Sequence, residues 1–348
     1  MLKRNILVLS DSTNPWHSFW IRFGQYIPKL SGNIHIAESI TCQAGRLIDP
    51  TTQPNALAAD ILFLYRYCPG NNDLENMIKE AKKLNTVIIA DIDDYLWAIP
   101  SWTKQQLKLF NRNLRLCNYI TCSTQALKEI LKIMFPQQQI VHVPNSVPNR
   151  SVLNVDSKKL TTATNDKLTL IWTGAPWTRP NDLKILQPLA QWCNRKANTG
   201  KFKWKHLGHA NGKLSLAQAL GIPESSVEKI TLRGYKEYLN ELDGHIGLAP
   251  ISGNTFNFFK SELKLLEYSY FGINWIASNI EPYQNLCGQW NWQGRLCNTS
   301  CDWIENVKSL MDIKIRQIEA NKVKELASIH NPWQKTLMLW QSLLDGAT

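Results

Sequence analysis

Lys260, Lys264 and Glu267 are spaced i, i+4 and i+7, so a helix over 261–271 sets all three on one face. Two lysines at a helix N-terminus oppose the macrodipole, which favours negative charge there. A diphosphate removes that conflict, because it draws on both ammonium groups and on the first turn's unpaired backbone N–H groups. Glu267, one turn further in, is placed to accept hydrogen bonds from hydroxyls such as those of a ribose. Leu263, Leu266 and Tyr270 line another face, suited to packing on a sheet. The spacing also fits a solvated Lys–Glu face. The Gly253-Asn254-Thr255 loop before it and the Phe271-Gly272 turn after it favour the binding reading.

The segment resembles the donor-binding helix of GT-B-fold glycosyltransferases, in particular the group-1 (family four) class of the bacterial surface-polysaccharide type. The resemblance rests on Phe259-Lys260-Ser261, Leu263-Lys264, Leu266-Glu267-Tyr268, Gly272 and Trp275-Ile276-Ala277-Ser278. Further pieces follow in matching order over roughly 86–280. Asp91-Ile92-Asp93-Asp94-Tyr95-Leu96-Trp97 is similar to an acidic element of the first domain, and Val143-Pro144-Asn145-Ser146-Val147 to the interdomain hinge. Ile171-Trp172-Thr173-Gly174-Ala175-Pro176 is similar to the first strand and glycine turn of the donor domain, and Gly247-Leu248-Ala249-Pro250 to the strand end before the donor helix. One departure stands out: the family carries a first glutamate eight positions before Glu267, where this chain has Phe259.

The resemblance implies retaining, hexosyltransferase-like transfer from a nucleoside diphosphate-sugar to an acceptor hydroxyl, with no cofactor beyond the donor substrate. Charge builds on the departing diphosphate, and positioned cations stabilise it. Lys264 and Arg179 are the expected catalytic cations, with Lys260 and Ser261 in support. Thr173 and Gly174 are expected at the donor, Gly174 because it lets backbone approach closely; Tyr235 flanks the base, and Glu267 takes the ribose. Asp93 and Asp94 end a first-domain strand, where one of them orients or deprotonates the acceptor. Trp16, His17 and Trp97 are the expected acceptor contacts. Asp91-Ile92-Asp93 mimics a metal-binding triplet, but in this fold the donor sits on the other domain, so metal-independent transfer is expected. Two other readings remain: a non-catalytic nucleotide- or sugar-binding homologue, and a GT-B sugar-nucleotide epimerase.

The elements that must hold these residues are legible as short apolar, β-branched runs at 5–10, 34–40, 60–65, 86–91, 119–123 and 140–143, with helical patterns at 73–84 and 124–135. After a polar linker at 155–167 the alternation restarts at 168–173, 202–208, 229–232, 246–249 and 275–278, with helices at 182–195, 261–271 and 301–327. Strands alternating with helices predict parallel sheets covered on both faces. The expected architecture is α/β: two Rossmann-like domains facing a cleft, 1–150 for the acceptor and 165–328 for the donor. In the tail at 329–348, Trp333, Leu337, Trp340 and Leu344 form one helical stripe. It either covers the second domain or crosses back to brace the first.

The chain has 348 residues, 44% hydrophobic, enough for two cores. No run approaches the ~18–20 apolar residues of a membrane span, and the start reads as a strand rather than a signal peptide. The eight cysteines are scattered without zinc-ligand spacing and are expected to be reduced thiols. A net charge of +11 attracts polyanions, yet there is no nucleic-acid module, so no nucleic-acid partner is expected. A basic membrane-surface binder is the remaining reading of the charge. The expected partners are the nucleotide-sugar and a glycan, lipid-linked or protein acceptor. The expected location is the cytoplasm, with peripheral association at the inner face of the cell membrane.

Overall fold

The computed structural model describes residues 4–10, 18–37, 41–43, 46–48, 59–65, 73–148, 167–208, 214–232 and 234–346. It divides into two units: Met1–Ser146, Phe259–Ser261 and Pro332–Thr348 form the first, Val147–Phe258 and Glu262–Asn331 the second. Trp16, His17 and most of the expected linker lie outside the described residues.

The first unit is built on the strands β1 (Asn5–Ser10), β2 (Asn33–Ala37), β5 (Ile61–Tyr65), β6 (Val87–Ile92), β7 (Tyr119–Cys122) and β8 (Gln139–His142), all parallel in the order β2-β1-β5-β6-β7-β8. A separate antiparallel pair joins β3 (Thr41–Gln43) to β4 (Arg46–Ile48). Central strands such as β5, ILFLY, are buried along their whole length, as parallel strands covered on both faces must be. Helices Asp73–Lys83, Lys104–Leu116 and Gln125–Met134 carry buried leucines into that core. The last two begin at Thr103 and Thr124, whose hydroxyls cap the first turns.

The Trp333–Gly346 helix belongs to this first unit. Trp340, fully buried, meets Phe23 and Phe63 edge to face and donates its indole N–H to the Arg22 carbonyl. Trp333 donates to Gln25 in the same way. Beside them Arg22, 1% exposed, makes two bonds to Asp91, at 3.0 and 2.8 Å, and a third to Asn145 Oδ1. Burial opposes the charge of a guanidinium this deep, and Asp91 beside it more than offsets that cost.

The second unit orders β9 (Leu168–Thr173), β10 (Phe202–Gly208), β11 (Val227–Thr231), β12 (Ile246–Ala249), β13 (Asn274–Ser278) and β14 (Leu296–Cys297) as β11-β10-β9-β12-β13-β14, again all parallel. The chain winds outward both ways from β9, so a topological switch point lies between β9 and β12. Trp172, Trp204 and Trp303 fill its core.

Three expected helices differ in their bounds. The one at 182–195 is two, Pro180–Lys184 and Gln187–Cys193, the second opening with Pro188 in its first turn. The one at 301–327 is also two, Ser300–Met311 and Ile313–His330. Asp312 leaves the helical conformation between them and caps the second through Lys314 N and Ile315 N. The donor-like helix runs Leu263–Tyr270, two residues shorter at its start than expected. Among the described residues six cysteines carry free thiols, five of them buried, and no helix is long and apolar enough to cross a membrane.

Candidate active site

The carboxyl ends of β9 and β12 flank the switch point of the second unit, where the candidate residues gather. Gly174 follows β9 with φ +139°. Gly208 ends β10, and a Cβ there would stand 2.0 Å from the Gly174 carbonyl oxygen. Backbone passes backbone here, and only glycine permits it. His206 Nε2 lies 2.9 Å from the same carbonyl. Burial pushes the His206 imidazole below its ordinary value, and the charges of Lys229 and Lys264 push it the same way.

Lys264, in the first turn of the Leu263–Tyr270 helix, donates to the Thr173 carbonyl at 2.7 Å, and its ammonium lies 5.3 Å from the centre of the Trp172 ring. A strand-end carbonyl and an aromatic face together fix the cation in place. One turn on, Glu267 is 5% exposed. Tyr235 and Tyr238, on the Tyr235–Glu241 helix, donate their phenol hydroxyls to its two carboxylate oxygens, at 2.6 and 2.8 Å. Burial raises the Glu267 carboxyl above its ordinary range against the pull of these bonds and of Lys264.

Arg179 immediately precedes the Pro180–Lys184 helix. It donates to Asn257 Oδ1 at 3.1 Å, stands 3.5 Å from Asp182 and lies over the Phe256 ring. Asp182 is buried and accepts the backbone N–H and hydroxyl of Ser252, which follows β12. Tyr283 and Glu262 share this field of charges, and burial pushes the Glu262 carboxyl up.

Of the residues singled out from sequence, Thr173, Gly174 and Lys264 come together, as do Tyr235 and Glu267, and Arg179 has its own cluster in the same unit. Lys260 and Ser261 do not lie on the donor-like helix. They belong to the first unit, where Lys260 pairs with Asp94 at 2.6 Å and Ser261 Oγ accepts from Asn145. Phe259 stacks there on Tyr95 with ring centres 4.4 Å apart, and its carbonyl accepts from Thr124. These three consecutive contacts hold the tripeptide away from helical geometry, so Lys260, Lys264 and Glu267 do not share one helical face.

Asp93 ends the same strand region, nearly buried, and accepts from Tyr65. Trp97 packs against Tyr95, Phe110 and Phe135 and donates to Asn111. No group of three or more potential metal-ligating side chains occurs among the described residues. Asp182, Asn257, Tyr238 and His206 were not legible as site residues. Each is a single polar residue inside an otherwise ordinary segment, without periodicity or motif to mark it.

The fold is that of the GT-B proteins. The structure is similar to HepE of Anabaena solved with UDP and glucose, with a TM-score of 0.68 and 12% identity over 99% of this chain and 100% of that one. It is similar to sucrose-phosphate synthase of Thermosynechococcus elongatus, with a TM-score of 0.66 and 11% identity over 99% of both chains. It is also similar to an α,α-trehalose-phosphate synthase (UDP-forming) of Burkholderia vietnamiensis, with a TM-score of 0.55 and 8% identity over 82% of this chain and 71% of that one. No family profile and no curated protein matches the sequence.

Proposed function

We propose that the chain is a glycosyltransferase that moves a sugar from a nucleoside diphosphate-sugar to an acceptor hydroxyl. The observation that carries this is the placement of Lys264 beside Thr173, one helical turn from the buried Glu267, at the switch point of the second unit. Two similar structures, one solved with UDP and glucose and the other of a UDP-forming synthase, support the same donor class.

On this reading the diphosphate lies against Lys264 and Arg179, whose charges stabilise the leaving group as the glycosidic bond breaks. The reading assigns that task to side-chain cations and needs no metal. Glu267, pre-oriented by two phenols, takes the ribose hydroxyls. Asp93 and Asp94 are the acceptor-side acids, Asp93 accepting from Tyr65 and Asp94 paired with Lys260. Retention of configuration and membership of the group-1 class come from the sequence resemblance around Lys264 and Glu267, a role in polysaccharide or glycoconjugate synthesis from the resemblance at 91–97, and a place at the inner face of the cell membrane from the basic charge and the tryptophans.

The test is thermal unfolding with UDP, GDP, ADP and CMP. A ligand at about 100 times its dissociation constant adds roughly 2.7 kcal/mol of stability. One nucleoside diphosphate is expected to raise the midpoint, and Lys264→Ala to abolish the rise. No rise with any nucleotide in folded protein overturns the reading.

A second reading, a non-catalytic nucleotide-sugar binder, is favoured by Phe259. It occupies the position of the family's first glutamate and stacks on Tyr95. Nucleotide binding without release of UDP from UDP-glucose, with or without acceptor sugars, would select it.

A further inference from the structure

Asp182 and Arg179 are three residues apart and oppositely charged, yet they do not close into a fork. The nearest approach is 3.5 Å, from Arg179 Nη1 to Asp182 Oδ2. Asn257 explains the gap. Its side chain is 3% exposed, and its amide nitrogen donates to Asp182 Oδ1 at 3.2 Å and to the Ser252 carbonyl at 2.9 Å. Its amide oxygen accepts from the same Nη1, at 3.1 Å. A neutral amide thus stands where a carboxylate would otherwise grip the guanidinium. Asp182 Oδ1 is meanwhile taken by the Ser252 N–H and hydroxyl, which fix the loop after β12. The Arg179 side chain is left 31% exposed, with its guanidinium over the Phe256 ring.

A bidentate Arg–carboxylate pair uses the donors an anion would need, and it is strong enough to compete with one. We infer that Asn257 is a positioning residue that holds Arg179 off Asp182 and so keeps the guanidinium available to a diphosphate. The inference rests on the reading of the second unit as a nucleoside diphosphate site. Asp182 is the anchor of the device: it locks Ser252 and Asn257 in place and meets the arginine at ion-pair distance without closing on it as a bidentate fork.

The experiment is calorimetric titration of UDP against UMP, GDP against GMP and ADP against AMP, on three proteins. These are the wild type, Asn257→Ala, and Asn257→Ala combined with Asp182→Asn. The wild type is expected to prefer one diphosphate over its monophosphate. Asn257→Ala should lower that preference about tenfold, as Arg179 closes on Asp182, while monophosphate affinity changes by less than about twofold. Replacing Asp182 removes the competing charge, so the double variant should recover most of the preference. If Asn257→Ala does not fold, Asn257→Ser takes its place with the same expected readings. An equal loss of mono- and diphosphate affinity, or no recovery in the double variant, overturns the inference and leaves the donor-site reading standing. A wild type that binds none of the six nucleotides overturns the donor-site reading and, with it, this one.

Discussion

Glu267 and His206 are buried titratable groups of the second unit. Glu267 is desolvated and held by two phenols, so each hydroxyl is an obligation rather than an ornament. Tyr238→Phe should cost about 1.5–3 kcal/mol, read as a lower urea midpoint, because it strips a donor from a buried carboxylate. His206 works through its proton. Its native value is depressed below the ordinary 6.5, so as pH falls the unfolded chain takes up a proton first. The stability it supports is complete above 6.5 and is lost as pH drops below it, towards the depressed native value. Urea midpoints taken from about pH 7.5 to about 5.5 should therefore fall, and fall less in His206→Gln. The sequence disclosed Lys264 and Glu267 through their spacing. It concealed Asn257 and Asp182, whose meaning depends on three segments meeting at Ser252.

The central strands were the most legible elements, because burial on both faces makes them largely apolar. β1, β9, β10 and β12 run over the expected residues. Helix ends were less legible, since they are decided by local caps. Asp312 looks like one more polar residue in a long amphipathic stretch, yet its carboxylate accepts Lys314 N and Ile315 N and starts a new helix. Asp312→Ala should lower stability by about 1 kcal/mol in thermal unfolding, the usual cost of a lost cap. The start of the Leu263–Tyr270 helix was hidden for a different reason. Nothing local stops a helix at Ser261; contacts of Phe259, Lys260 and Ser261 with residues over a hundred positions away do.

At the scale of the molecule, each unit has its own sheet and core, but only the second is nearly continuous in sequence. Trp340 seals the first unit from the far end of the chain, and Trp340→Ala should destabilise that unit by about 3–5 kcal/mol. Hydrogen exchange is the direct readout: protection should fall in β1, β5 and β6 and persist in β9, β10 and β12. The same variant should keep its nucleotide-induced thermal shift, because Lys264, Glu267 and Arg179 lie in the other unit. A loss of both would mean that the units do not unfold independently.

That connectivity fixes an order of birth. Arg22 and Gln25 leave the ribosome more than 300 residues before Trp340 and Trp333, their hydrogen-bonding partners. At about 5–20 residues per second, the nascent first sheet waits on the order of tens of seconds for its last wall. The second unit is itself complete only at Asn331, just before that wall. During translation, then, the half-built amino-terminal sheet is the natural client of a chaperone.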